Sequence, residues 1–271
     1  MKMKANSNAR DAILIWMLLI SVAVGHAEID LGTLGGAWLF DEGGGKTVKD
    51  HSGNGNDGEI VGDPKWVDSD LGPALEFDGS DDYLEIPHSD TVNVGESDFT
   101  LVAWLNPAAP GGGNGIISKG AWCWNGGWIL DIGDTGPGAI RLETSANGSD
   151  NGSIISPAGT MEVDQWQFVA AVVTRDADSY IYRDGEEVAV KVVQGNDLTQ
   201  EAYPLLMGCL LECNKLPGAF FPVSITHVAL FLGVALTFED TEMIREHGLE
   251  AVLSVSPEAK LATTWGKLKA I

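Results

Sequence analysis

The chain has 271 residues, a formal net charge of −23 and a hydrophobic fraction of 44%. This length and composition suffice for one large domain with a sizeable core. The negative field repels phosphate backbones and anionic headgroups, so nucleic acid and membrane surfaces are poor partners. Neutral sugars and divalent cations are compatible with such a charge.

The first 27 residues have the pattern of a secretory signal peptide. Three basic residues precede an uninterrupted apolar run over 12–24, and Gly25-His26-Ala27 follows it. The run is shorter than the ~20 residues that span a bilayer. We therefore expect a cleaved leader over 1–27, with a retained N-terminal anchor as the alternative. The mature chain would begin near Glu28, would not insert into a membrane, and would be secreted, periplasmic or at the cell surface.

Runs of period-two or continuous apolar character, separated by Gly, Asn, Asp and Pro, predict many short strands. In chain order they are 37–40, 59–61, 74–77, 83–86, 99–105, 115–118, 128–132, 139–143, 167–174, 179–183, 186–190, 205–208 and 223–231. Asp184-Gly185 supplies the two positive-φ positions of a type I′ hairpin turn. The runs 99–105 and 167–174 are apolar on both faces, which predicts inner strands covered on either side.

One helix is predicted near the C-terminus. Thr237 caps it, Asp240 forms part of a capping box, and Gly248 ends it. Many short strands with one short C-terminal helix predict an all-β fold, a two-sheet antiparallel jelly-roll sandwich over residues 28–250. Residues 251–271 form a C-terminal tail, either loosely attached or a docking segment for an acidic partner.

The chain has three cysteines, Cys123, Cys209 and Cys213. In an oxidising compartment we expect one disulfide and one free thiol, and the sequence does not choose among the three pairings. The Cys-x3-Cys spacing of Cys209 and Cys213 lacks the further cysteine or histidine ligands of a zinc site.

Six stretches follow one another in an order that is found in a known domain family. They read AWLFDEGGGKTVKDHSGNGNDGEIVG, GPALEFDGSDDYLEIPHSDTVNV, DFTLVAWLNP, IISKG, QWQFVAAVVTRDADSYIYRDGEEV and VALF…AL…EDTEMIREHG. Together, from about Leu34 to Gly248, they resemble the laminin-G-like domain of the concanavalin A-like lectin/glucanase superfamily. The resemblance implies a jelly roll that holds ligands on its concave face or rim and acts in binding or adhesion, although related members are glycosidases or lyases. Thr226 and His227 stand where family members usually carry an acidic pair, which weakens the structural calcium that the resemblance implies.

The sequence lacks the catalytic patterns expected of an enzyme of this superfamily. A retaining glycosidase of this superfamily would carry two glutamates around an aspartate on one strand, facing one cleft ~5 Å apart. The nearest string, 128–134, has no glutamate, and Asp131 and Asp134 are expected to face opposite sides of a regular strand. No Gly-x-Ser-x-Gly elbow occurs. The sequence therefore predicts a protein that is not an enzyme.

An acidic turn, FDGSDDYLEI, is the candidate metal site. Asp78, Asp81 and Asp82 could supply oxygens to a structural calcium, which takes six to eight of them, with help from acids within 41–50. The alternative is that Asp78-Gly79 only makes the turn and Asp81 caps it.

The stretch AWCWNGGW is the candidate ligand site. Trp122, Trp124 and Trp128 could stack on sugar rings while Asn125 binds hydroxyls, although core packing is expected for at least one of the tryptophans. We predict an exported non-catalytic binding module for carbohydrate or an extracellular protein partner. The alternatives are a polysaccharide hydrolase or lyase of the same superfamily and a purely structural adhesion module.

Overall fold

The computed structural model describes residues 29–112, 114–121, 126–146, 149–150 and 152–254. The expected leader, the tail after Ser254, and the candidate-site residues Trp122, Cys123, Trp124 and Asn125 lie outside the described residues. None of the helices in the described ranges has the length and apolar character needed to cross a membrane.

Nearly all of the regular structure is extended. The strands of the described residues are β1 (Leu34–Trp38), β2 (Thr47–Val48), β3 (Gly58–Val61), β4 (Lys65–Ser69), β5 (Gly72–Asp78), β6 (Tyr83–Ile86), β7 (Phe99–Pro107), β8 (Asn114–Gly120), β9 (Gly127–Ile132), β10 (Ile140–Ala146), β11 (Ser149–Asp150), β12 (Ile154–Ile155), β13 (Gln167–Val173), β14 (Asp178–Arg183), β15 (Glu186–Val192), β16 (Leu205–Met207), β17 (Leu210–Leu211), β18 (Pro217–Gly218) and β19 (Pro222–Leu232). The described residues also form two short 3-10 helices, Leu31–Thr33 and Asp90–Val92, and two α-helices, α1 (Phe238–His247) and α2 (Leu249–Leu253).

The strands form two antiparallel sheets, which confirms the predicted sandwich. The eight-stranded sheet has the order β15-β14-β13-β7-β19-β5-β4, with β1 also paired to β19. The nine-stranded sheet has the order β11-β10-β9-β8-β16-β6-β3-β2, with β12 also paired to β10. Strands that are far apart in the chain lie side by side, so each site described below is assembled by the topology and not by one segment.

Two apolar layers lie on the two faces of the eight-stranded sheet. The first layer fills the space between the sheets and includes Leu101 and Leu105 of β7. The second layer covers the outer face, where Trp104 of β7 packs with residues of α1 and α2. Strands β7 and β13 are therefore covered on both sides, as their doubly apolar sequences predicted.

The C-terminal helices differ in part from the prediction. Thr237 and Asp240 form a full capping box for α1, and Gly248, at φ +79°, ends it as predicted. A second helix, α2, follows at once, so the expectation of a single helix was wrong. Five residues are too few for a periodic signal, and α2 is stabilised by burial of Leu249 and Val252 against the sheet.

Candidate functional site

Trp128 is a core residue and not a sugar-stacking surface. It lies between the two sheets with 1% of its surface exposed, and its ring packs 5.8 Å from that of Phe99. Because β9 alternates its side chains, Trp128 points inward together with Leu130. The hypothesis that Trp128 binds ligand is therefore wrong. The hypothesis for Trp122, Trp124 and Asn125 concerns residues outside the described ranges.

The outer face of the nine-stranded sheet is partly covered by the chain itself. Ser118 donates a hydrogen bond to the carbonyl of Cys209 (3.1 Å), and Asn114 donates one to the carbonyl of Phe220 (2.6 Å). A small apolar cluster that includes Leu206 and Leu211 fills the space beneath this segment. The segment 209–221 therefore covers part of this outer face.

The covering segment contains one free cysteine and one disulfide-bonded cysteine. Cys209 is a free thiol in the apolar cluster, and burial raises its pKa far above the ordinary value. Cys213 is disulfide-bonded. A buried thiol with a raised pKa is a poor nucleophile, so Cys209 is a packing residue.

Three carboxylates converge on Arg141 beside the covered region. The guanidinium binds Asp131 (2.8 Å), Asp134 (2.7 Å) and Glu143 (3.0 Å). The expectation that Asp131 and Asp134 face opposite sides was wrong, because β9 ends at Ile132 and Gly133, at φ +87°, turns the chain back. The sequence string alone could not show this turn.

Asp131 is the most deeply buried acid of this cluster. Burial raises its pKa to about 7, and Arg141 lowers the value only in part. Its Oδ1 is buried without a hydrogen-bond partner among the described residues, and only 1% of its surface is exposed. A substrate could not reach this carboxyl group in the observed arrangement.

The acidic turn brings its three aspartates together. One carboxylate oxygen of each of Asp78, Asp81 and Asp82 lies within 4.8 Å of the others. Asp78 accepts a hydrogen bond from the backbone N–H of Ser80, and buried Asp82 accepts one from that of Asp63. The same residues therefore brace the turn and offer free oxygens, so both predicted roles stay open.

A second ligand group, Asp41, Glu42 and His51, is separate from the acidic turn in the described part of the chain. Thr226, which replaces one of the family acids, binds the carbonyls of Leu39 and Pro73. His227, which replaces the other, lies at φ +47° in a β-bulge of β19, and burial lowers its pKa. A largely neutral imidazole here is a weaker calcium ligand than an acid.

An aromatic cavity that the sequence did not predict lies on the outer face of the eight-stranded sheet. Its walls include Trp104, Trp166 and Phe168, and its volume is about 230 Å³. Trp104 and Phe168 are direct cross-strand partners whose ring centroids lie 4.6 Å apart. Trp166 is half-buried at the edge of the apolar layer. Trp104 and Phe168 are 7% and 2% exposed, so Trp166 is the most accessible of the three rings.

Polar groups from three elements surround this aromatic wall. Asp70 comes from the β4–β5 turn, Asp184 from the β14–β15 turn and Arg245 from α1. Asp184 and Gly185 have φ +51° and +83°, which confirms the predicted hairpin turn. Asp184 is held by the backbone N–H of Phe168, 2.8 Å from its Oδ1. The turn therefore fixes one carboxylate at the cavity mouth.

A second cavity adjoins the first at Asp70 and Leu71. It has a volume of about 390 Å³, and its further lining includes His227, His247 and Glu250. Trp104 connects the two regions, because its ring meets that of His227 edge-on at 5.7 Å. Alternation along β7 places Trp104 on the face opposite to Leu105, but nothing in the local sequence shows that the helices leave an opening there.

The sequence matches the model of a known protein family. The family model Laminin_G_3, described as the concanavalin A-like lectin/glucanases superfamily, matches residues 78–239. No curated protein matches the sequence significantly.

Solved structures with this fold include several binding domains. The binding domain of Paraclostridial Mosquitocidal Protein 1 has a TM-score of 0.64 at 15% identity, covering 79% of this chain and 52% of that one. Domain 4 of AbnA, an extracellular GH43 arabinanase from Geobacillus stearothermophilus, was solved with arabinotriose; its TM-score is 0.57 at 18% identity, covering 77% and 96%. The binding domain of botulinum neurotoxin DC, solved with rat synaptotagmin II, has a TM-score of 0.59 at 14% identity, covering 79% and 51%. This chain therefore spans about half of the toxin domains that it matches.

Proposed function

Since the chain belongs to the Laminin_G_3 family of the concanavalin A-like superfamily, we propose that it is an exported, non-catalytic module that binds carbohydrate. The observation that carries the proposal is the state of the Arg141 cluster. Its three carboxylates are all engaged by one guanidinium, and Asp131 is buried. Cleavage of a glycosidic bond needs two carboxyl groups that reach the substrate, and this cluster does not present such a pair.

Carbohydrate is favoured as the ligand on two grounds. The arabinanase domain, which has the same fold, was solved with an arabinose trisaccharide. The aromatic cavity places the half-buried ring of Trp166 beside carboxylates and a guanidinium, the mixture that sugar rings and hydroxyls require. Fold alone does not fix function, so the test is direct. The full-length protein on an array of neutral oligosaccharides is expected to bind at least one of them, and an array without signal would refute the proposal.

An extracellular protein partner is the second candidate. Strand β15 is at the edge of the eight-stranded sheet, and its Val190 and Val192 are about half exposed. An edge strand with exposed apolar side chains can pair with a strand from another protein. Substitution of Val192 by Lys would abolish capture of such a partner and leave oligosaccharide binding unchanged.

A hydrolase or lyase is the third candidate, supported by the raised pKa of Asp131 beside Asp134. Release of reducing ends from a polysaccharide panel, lost on Asp131→Asn, would establish it. We expect no turnover by either protein.

We also propose a structural calcium ion at Asp78, Asp81 and Asp82. Clustered carboxylate oxygens suit a hard cation, and water or backbone oxygens would complete the six to eight ligands. The ion would brace the turn between β5 and β6.

A further inference from the structure

Trp166, half-buried at the edge of the outer-face cavity, offers an apolar face to a sugar ring, and Trp104 and Phe168, which are 7% and 2% exposed, line the cavity floor. Three strands or loops contribute to the cavity: Trp104 from β7, Phe168 from β13 and Trp166 just before β13. The negative π face of an indole attracts the slightly positive C–H groups of a pyranose, and the large ring area excludes water. A cavity of about 230 Å³ is smaller than the ~300–1,000 Å³ of a site for a drug-sized ligand. It therefore has room for about one sugar ring.

The polar groups at the cavity mouth complement sugar hydroxyls. Asp70 is exposed and makes no side-chain hydrogen bond among the described residues. Asp184 is fixed by the backbone N–H of Phe168. Arg245 binds Glu242 through Nε and Nη2, at 2.8 and 2.7 Å, which leaves Nη1 open within the described structure. Hydroxyl groups can donate to both aspartates and accept from Nη1.

The geometry around the mouth is held firmly. A Cβ on Gly185 would lie 2.8 Å from the carboxylate of Glu242, so the β14–β15 turn packs directly against α1. The same Glu242 orients Arg245. Asp184 and Arg245 are thereby fixed relative to each other by one contact between the hairpin and the helix. Such preorganisation reduces the entropy lost when a ligand binds.

The charge of the site selects among sugars. The carboxylates of Asp70, Asp184 and Glu250 line the two cavities, and the whole chain carries −23. Anionic sugars would be repelled. A cationic ligand would meet the guanidinium of Arg245 in the first cavity. A neutral sugar fits both constraints.

The second cavity extends the site beyond one ring. It shares Asp70 and Leu71 with the first, and His247 and Glu250 add further polar groups. From these contacts we infer that the outer face of the eight-stranded sheet binds a neutral oligosaccharide of two or more rings, with one ring against Trp166 and the next beyond Asp70. This inference rests on the proposed function. It places the ligand on the outer face of the eight-stranded sheet, away from the layer between the two sheets and next to the C-terminal helices.

The test measures the affinity of the full-length protein for arabinotriose, xylotriose and cellotriose by titration calorimetry, together with the best ligand from the oligosaccharide array. Trp166→Ala and Asp70→Asn are the site variants. Trp66→Ala is the matched control, a half-buried tryptophan of β4 that packs on the inner layer, and Asp178→Asn is an exposed aspartate control. Each site variant is expected to weaken binding at least about tenfold, and each control less than about twofold.

The outcomes separate this inference from the proposed function. Binding by the wild type that neither site variant weakens would overturn the inference and leave the function standing. No binding of any array or trisaccharide probe by the wild type would overturn both. If Trp166→Ala does not fold, Asp70→Asn decides the matter, because this exposed side chain makes no contact on which folding depends. A monosaccharide that binds as tightly as its trisaccharide would refute the second ring position.

Discussion

Lys119 is a buried cation whose removal tests the energetics of this sandwich. Only 1% of its surface is exposed, its Nζ donates to the carbonyl of Tyr203 (2.8 Å), and it lies 3.3 Å from Nδ1 of His88. No carboxylate lies within ion-pair distance of it in the described structure. Burial therefore lowers its pKa from 10.5 to about 8.

The size of the effect follows from this pKa. Each pH unit corresponds to about 1.36 kcal/mol, so the gap between 10.5 and about 8 amounts to roughly 3 kcal/mol. Because the pKa is lowered in the folded state, the unfolded chain binds more protons between pH 8 and 10.5. Burial of the charged lysine therefore destabilises the fold by the full amount below pH 8, and this destabilisation decreases as the pH rises to 10.5. Lys119→Met removes the charge and loses one hydrogen bond of about 1 kcal/mol. We expect a net stabilisation of about 2 kcal/mol at pH 7.

The assay is urea unfolding of both proteins at several pH values from 7 to 10.5, followed by tryptophan fluorescence. The difference between the variant and the wild type cancels the other groups that titrate in this range. That difference should fall by about 2–3 kcal/mol from pH 8 to 10.5. Lys191→Met, at an exposed position of β15, is the control and should show no such trend. A difference for Lys119→Met that stays constant with pH would show that this lysine is not desolvated.

Three further predictions follow from the core, the Arg141 cluster and the acidic turn. Trp128→Ala should lower the free energy of unfolding in urea by about 3–5 kcal/mol, because it empties a large core position; a loss below about 1 kcal/mol would place this ring outside the core. Burial raises the folded-state pKa of Asp131 to about 7, so the contribution of this one group to the free energy of unfolding should fall by up to about 4 kcal/mol from pH 4 to 7. That contribution is absent in Asp131→Asn, so the pH profiles of the two proteins should diverge, and parallel profiles would contradict the raised pKa. Calcium at 100 times its Kd should stabilise the protein by about 2.7 kcal/mol in thermal melts against chelator, and Asp81→Asn should remove the shift; a midpoint that calcium does not change would exclude the ion.

The fold could be predicted from local sequence to a large extent. Strands β7, β13 and β19 carry long apolar runs, and the Asp184-Gly185 turn and the Thr237 cap act over a few residues. Elements without such a signal were missed. Strand β4 is short, has no buried residue and lies at a sheet edge, and α2 is held by burial and not by propensity.

The candidate site could be predicted only in part. The acidic turn lies within five residues, so its convergence followed from sequence spacing. The Arg141 cluster did not follow, because one glycine at positive φ reverses the direction of Asp134. Trp128 was placed by alternation along β9, and the pattern could not say which face of that strand is the core.

The sequence by itself determined the class of fold, because alternating side chains and turn residues act locally and are repeated in almost every segment. Only the tertiary structure decided where a ligand could bind. Trp104, Trp166, Asp70, Asp184 and Arg245 lie on five separate elements or turns, and they meet because distant strands pair and a helix packs across them. Contacts of this kind depend on the register and order of the strands, which local sequence patterns do not encode.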